Sequence, residues 1–109
     1  MAEEFILTNG GIPGFKGLYG FPGTLCVSIE DEVVHGVPSK RLLNEGEIIR
    51  IDVGSIYNDY YGDHAKTFPV GEVDDDRIKL LDVTKKSLKL GINEVKDGKY
   101  IGDIGHAIQ

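Results

Sequence analysis

The run from Glu47 to Ile56 (EIIRIDVGSI), the three residues Tyr57-Asn58-Asp59 and the run from Tyr60 to Val70 (YYGDHAKTFPV) decide the fold. β-Branched and aromatic residues on both sides of an Asn-Asp turn predict an antiparallel hairpin. Asp52 stands in mid-strand among Ile49, Ile51 and Val53, where an ionised carboxylate needs a partner. Asp63 follows eleven residues later, so the two numbers add to an odd total. A loop with an even number of residues, two at Asn58-Asp59 or four from Tyr57 to Tyr60, pairs residues with odd totals and puts both carboxylates on one face. Their Cβ atoms are then neighbours at roughly 4.5–8 Å. Carboxylates that close share a proton or hold a cation. Two oxygen ligands converging from adjacent strands suit a pair of hard or borderline divalent ions about 3.5–4 Å apart, an arrangement that activates water. With an odd loop, one aspartate would cap the turn and the other would face solvent. Spacing alone leaves both outcomes open.

Upstream of the hairpin, Thr24 to Ile29 (TLCVSI) has the composition of a strand, and Glu32 to Pro38 reads as a second short extended piece closed by a proline turn. The first 23 residues give a short apolar piece, Phe5-Ile6-Leu7, a loop from Gly10 to Gly14, and turn chemistry from Gly17 to Gly23. Downstream, the period changes. Asp74, Asp75 and Asp76 supply a cap and a negative first turn for a helix of about four turns, with Ile78, Leu81, Leu88 and Ile92 along one stripe and Gly91 as its stop. A second capped helix is expected to start at Asp103.

The 109 residues allow one domain. With 12 basic against 18 acidic side chains, the formal charge is −6 and the pI near 4.9, which argues against nucleic acid or an anionic membrane as the main partner. The single cysteine, Cys26, excludes an internal disulfide, and the absence of a Cys or His cluster excludes a structural zinc site. Met1-Ala2-Glu3-Glu4 has neither the basic start nor the apolar core of a secretion signal, so a cytoplasmic location is expected. Taken singly, His35 beside Val33-Val34 reads as a packed strand-end histidine, His64 as a residue of the face opposite Asp63, and His106 as a helix-surface residue. Cys26 has no base near it in sequence and reads as a pocket or core residue. Tyr57, Tyr60 and Tyr61 read as hairpin packing.

Several motifs change that weighting. Phe15-Lys16-Gly17, Gly20-Phe21-Pro22, Cys26-Val27-Ser28-Ile29, Glu32 to Pro38, Glu45-Gly46-Glu47, Ile51-Asp52-Val53-Gly54, Gly62 to Phe68 and Gly102 to Gln109 occur in an order and spacing that resemble type I methionine aminopeptidases. The resemblance covers nearly all of the chain and implies the α+β class, half of a pita-bread fold, with an antiparallel sheet whose hairpin carries two aspartates and helices packed on one face. It implies that Asp52 and Asp63 are two of five ligands to two divalent ions (Co, Mn, Fe or Zn). It also implies that His35 is the active-site histidine, and that Phe21 and Cys26 help to form the pocket for the methionine side chain. Leu18 stands in the same pocket segment where many members have tyrosine, with Tyr19 where many have glycine. The family's remaining ligands, one histidine and two glutamates, follow the GDIGxAIQ-type segment. Residues 1–109 are thus expected to be one partial catalytic domain, shortened at both ends relative to the family and inactive alone. The implied activity is removal of the N-terminal methionine from nascent peptides by a metal-activated water. The implied partners are the peptide N-terminus and, at the site of synthesis, the ribosome. Two alternatives share the architecture: a binding module without catalysis and a prolidase-like metallopeptidase.

Overall fold

The computed structural model describes residues 1–109, which form two compact units, Met1–Val73 and Asp74–Gln109. The first is built on the hairpin. Strand β3 (Ile48–Tyr57) and strand β4 (Tyr60–Pro69) pair antiparallel along their whole length, joined by Asn58 and Asp59. Both turn residues have positive φ, 49° and 65°, the backbone that a two-residue hairpin loop needs to match the right-handed twist of its strands. Along its other edge β3 pairs with β2 (Leu25–Ile29) and, beyond it, with the two residues of β1 (Ile12–Pro13). Helix α1 (Ala2–Thr8) precedes the sheet, and a single 3-10 turn spans Leu18–Gly20. Cys26, Ile29, Ile48 and Ser28 are the most buried side chains and lie where β2 meets β3.

Three local expectations are corrected here. Phe5-Ile6-Leu7 belongs to helix α1, and the glycine loop contributes β1, because Ile12 lies opposite Ile56 on a stretch of β3 that β2 leaves uncovered. Residues Glu32 to Pro38 do not form a strand. The Glu32 carboxylate accepts from the Ile29 amide and the Glu32 amide donates to the Ile29 carbonyl, which closes a turn, and His35 at φ 60° breaks the extended path.

The second unit is a helix pair. Asp74 caps α2 (Asp75–Asn93) by accepting from the Arg77 amide at 2.8 Å, as the sequence predicts. The helix has 19 residues and runs through Gly91 instead of stopping there. Gly91 is buried because a Cβ at that position would meet Ile108 Cγ1 at 2.8 Å, so its smallness lets α3 (Ile101–Ile108) approach. Of the expected apolar stripe, Leu81 is half-buried and Ile78, Leu88 and Ile92 are exposed. Helix α3 starts two residues before Asp103, which sits in the first turn and accepts from the Tyr100 amide at 2.9 Å. No helix is long and apolar enough to cross a membrane.

Candidate metal centre and substrate pocket

The two-residue turn fixes the register: Asp52 lies opposite Ala65, and Gly54 lies opposite Asp63. Asp63 is therefore the diagonal neighbour of Asp52 on one face of the sheet, the even-loop outcome. On the other side of β3, Cys26 lies directly opposite Asp52 and shares that face. Burial pushes the Asp52 carboxyl above its usual range, the Asp63 charge and a hydrogen bond with Asp63 add to the shift, and the nearby His35 and His64 oppose it. Burial also raises the Cys26 thiol, with the two aspartates adding to the effect, so Cys26 is a poor nucleophile. The Asp52 Oδ1 atom is buried and accepts no hydrogen bond. A carboxylate oxygen removed from water without a donor is costly, and a cation relieves that cost together with the repulsion from Asp63. The pair fits a divalent ion by this measure. No third His, Cys, Asp or Glu joins the two in a group able to hold a metal.

His35 is held in place from both sides. Before it, the Arg50 guanidinium, on the same sheet face as Asp52, donates to the carbonyls of Glu32, at 3.1 Å, and of Val33. After it, Gly36 lies against β2. Its carbonyl accepts from the Val27 amide at 2.9 Å, and its amide donates to the buried Ser28 hydroxyl at 3.2 Å. A Cβ on Gly36 would come within 2.1 Å of the Val27 oxygen, so only glycine permits this approach. The exposed histidine is thus delivered by a pinned backbone in a left-handed conformation, the kind of strained geometry that functional sites retain.

All six residues singled out in the sequence, Leu18, Phe21, Cys26, His35, Asp52 and Asp63, line a single cavity of about 490 Å³. The lining combines an apolar wall segment, Leu18–Phe21, with the two carboxylates and the histidine. Sequence reasoning missed Phe15, which also lines the cavity. Its ring lies over Gly54, where a Cβ would approach Phe15 Cε1 to 2.4 Å, and the Gly14 amide donates to the Gly54 carbonyl at 2.8 Å. The signal was present in the pairing of a strand glycine with an upstream aromatic, but only the tertiary crossing gives it meaning. His64 projects from the opposite face of β4, opposite Val53, as expected. Tyr57, Tyr60 and Tyr61 flank a second, separate cleft at the hairpin tip.

The sequence profile of metallopeptidase family M24 matches residues 1–109. The chain belongs to that family. Membership in M24 carries the use of divalent metal with it, in agreement with the unpartnered Asp52 oxygen. Methionine aminopeptidase 1 of Bacillus subtilis is 51% identical over 109 residues, which are all of this chain and 44% of that protein. The M24 chain described here therefore spans less than half the length of that relative. The crystal structure of methionine aminopeptidase from Rickettsia prowazekii matches with a TM-score of 0.94 at 38% identity, over 98% of this chain and 43% of that one. Prolidase from Pyrococcus furiosus, at 21% identity and a TM-score of 0.70 over 77% of this chain and 26% of its own, shares the fold. The fold class is accordingly α+β with the pita-bread architecture.

Proposed function

We propose that this chain supplies the substrate pocket, the histidine and two of the metal ligands of a methionine aminopeptidase, which removes the N-terminal methionine from nascent peptides in the cytoplasm. The observation that carries this reading is the convergence of an apolar wall, a histidine and a paired carboxylate on one cavity. Phe15, Leu18, Phe21 and Cys26 offer an unbranched thioether side chain an apolar, polarisable surface, which favours methionine over charged residues. Asp52 and Asp63 would hold two divalent ions of the Co, Mn, Fe or Zn type, completed by ligands from elsewhere in the active enzyme. Such ions supply Lewis acidity and a nucleophilic water at neutral pH. His35 donates a hydrogen bond to the scissile peptide, strengthening as negative charge develops on it. Peptides leaving the ribosome are the natural source of such N-termini.

Two sister readings are weaker. A binding module without catalysis leaves the Asp52–Asp63 pair without a purpose. A prolidase-like activity is supported by fold alone, since that likeness lies at 21% identity. The test is a hybrid in which residues 1–109 replace the stretch of the Bacillus subtilis relative that they match. The hybrid is expected to hydrolyse Met-Ala-Ser in a metal-dependent manner and to leave Met-Pro and Ala-Pro dipeptides intact. Cleavage of the dipeptides without turnover of Met-Ala-Ser would transfer the chain to the prolidase-like group. Metal binding without either activity would make it a binding module.

A further inference from the structure

We propose that Glu3, in the first turn of helix α1, is a positioning residue that clamps the apolar wall of the cavity; the role in catalysis rests on the methionine aminopeptidase reading. Its carboxylate divides between two partners. Oε1 accepts from Lys16 Nζ at 2.5 Å, and Oε2 accepts from Thr24 Oγ1 at 3.3 Å. Those partners bracket the wall: Lys16 follows Phe15, and Thr24 follows the Phe21-Pro22-Gly23 run. Between them the chain closes on itself. The Gly17 amide donates to the Phe21 carbonyl at 2.8 Å, and the Phe21 amide donates to the Leu18 carbonyl at 2.9 Å. Gly17 and Gly20 both have positive φ, 86° and 81°, so the loop's own backbone is permissive and does not by itself fix where the wall stands. One carboxylate gripping both ends of a self-closed loop holds Leu18 and Phe21 as a unit over the cavity.

The pair with Lys16 is partly exposed, at 48% and 40% of the two side chains, so it adds little to global stability. Its effect is on wall position, and it should appear in substrate binding. Glu4 makes only a 3.9 Å contact with the N-terminal amine through its side chain and serves as the control on the same helix. In the hybrid with the Bacillus subtilis relative, Glu3→Ala should raise KM for Met-Ala-Ser about fivefold, and Kd for L-methionine by the same factor, with kcat held within twofold. Glu4→Ala should change neither. The exchanged pair Glu3→Lys with Lys16→Glu should recover part of the loss, because it rebuilds the Lys16 arm and not the Thr24 arm. A KM and a Kd that stay within twofold in Glu3→Ala would overturn the clamp, as would a fall in kcat at constant KM. Amide exchange at Gly17 and Phe21 reads the clamp without turnover: faster exchange in Glu3→Ala than in Glu4→Ala supports it, and equal exchange overturns it. Failure of the unsubstituted hybrid to cleave any methionyl peptide would instead strike the functional reading, with the exchange measurement still deciding the clamp.

Discussion

Replacing Gly36 by alanine should separate His35 from the cavity without touching a metal ligand. The added Cβ would stand 2.1 Å from the Val27 oxygen and 2.9 Å from the Val27 carbon, so the segment must retreat from β2 by about 1 Å. That retreat breaks the Val27 amide bond to the Gly36 carbonyl and the Gly36 amide bond to Ser28. Each lost bond costs about 1 kcal/mol, and the Ser28 hydroxyl, at 4% exposure, is left without its donor for about 1 kcal/mol more. A loss of about 2–3 kcal/mol in stability is expected from these terms. The catalytic cost is of similar size, since a 1 Å misplacement of a group that meets the transition state lowers kcat by about 10²-fold, or about 2.7 kcal/mol. The assay is turnover of Met-Ala-Ser by the completed enzyme, with metal content measured on the same sample and stability by thermal melting. Gly62→Ala is the matched control, because a Cβ there meets nothing closer than Ser55 Oγ at 3.5 Å. Wild-type kcat in a Gly36→Ala protein that has lost stability would refute the link between this backbone contact and His35.

Other outcomes follow from the same geometry. His35→Ala should lower kcat by about two to three orders of magnitude with metal content intact, as read by steady-state kinetics and metal analysis; lost metal with unchanged turnover per bound metal would make it a ligand. Asp52→Asn and Asp63→Asn should each abolish binding of Mn²⁺ or Co²⁺ in titration calorimetry, because each removes one of the two converging carboxylates; binding that survives either change would dissolve the paired site. Asp59→Gly should raise the melting temperature through up to about 1 kcal/mol of relieved left-handed strain, and a lowered melting temperature would show that the Asp59 side chain holds the turn.

The hairpin was legible in the sequence because it depends on alternation and turn chemistry, both local properties, whereas the facing of Asp52 and Asp63 stayed one of two outcomes until the two-residue turn fixed the register. The cap at Asp74 was legible for the same reason. What escaped depends on contacts between segments distant in the chain. Val33-Val34 carries the composition of a strand, yet Arg50, seventeen residues on from Val33, takes the carbonyls that a strand would have paired. Gly91 resembles a helix stop, and only the packing of Ile108 reveals it as a point of close approach. Phe15 stands in a motif that carries the resemblance, but its place in the cavity shows only once Gly54 is brought beneath it. The apolar residues named for the cavity came from resemblance, and the sequence by itself would not have grouped Leu18 with Asp63.

The turn at Asn58 and Asp59 has a consequence for how such a chain can change in length. The facing of Asp63 belongs to the ladder and not to the length of the tip, because residues paired across the two strands share a face whatever loop joins them. A residue inserted between Asn58 and Asp59 makes a three-residue loop and leaves the ion site in place, whereas a residue inserted between Tyr60 and Asp63 either bulges out or slips the register by one and carries Asp63 to the far side of the sheet. The tip is therefore free to change in length, and the three residues that separate it from Asp63 are not.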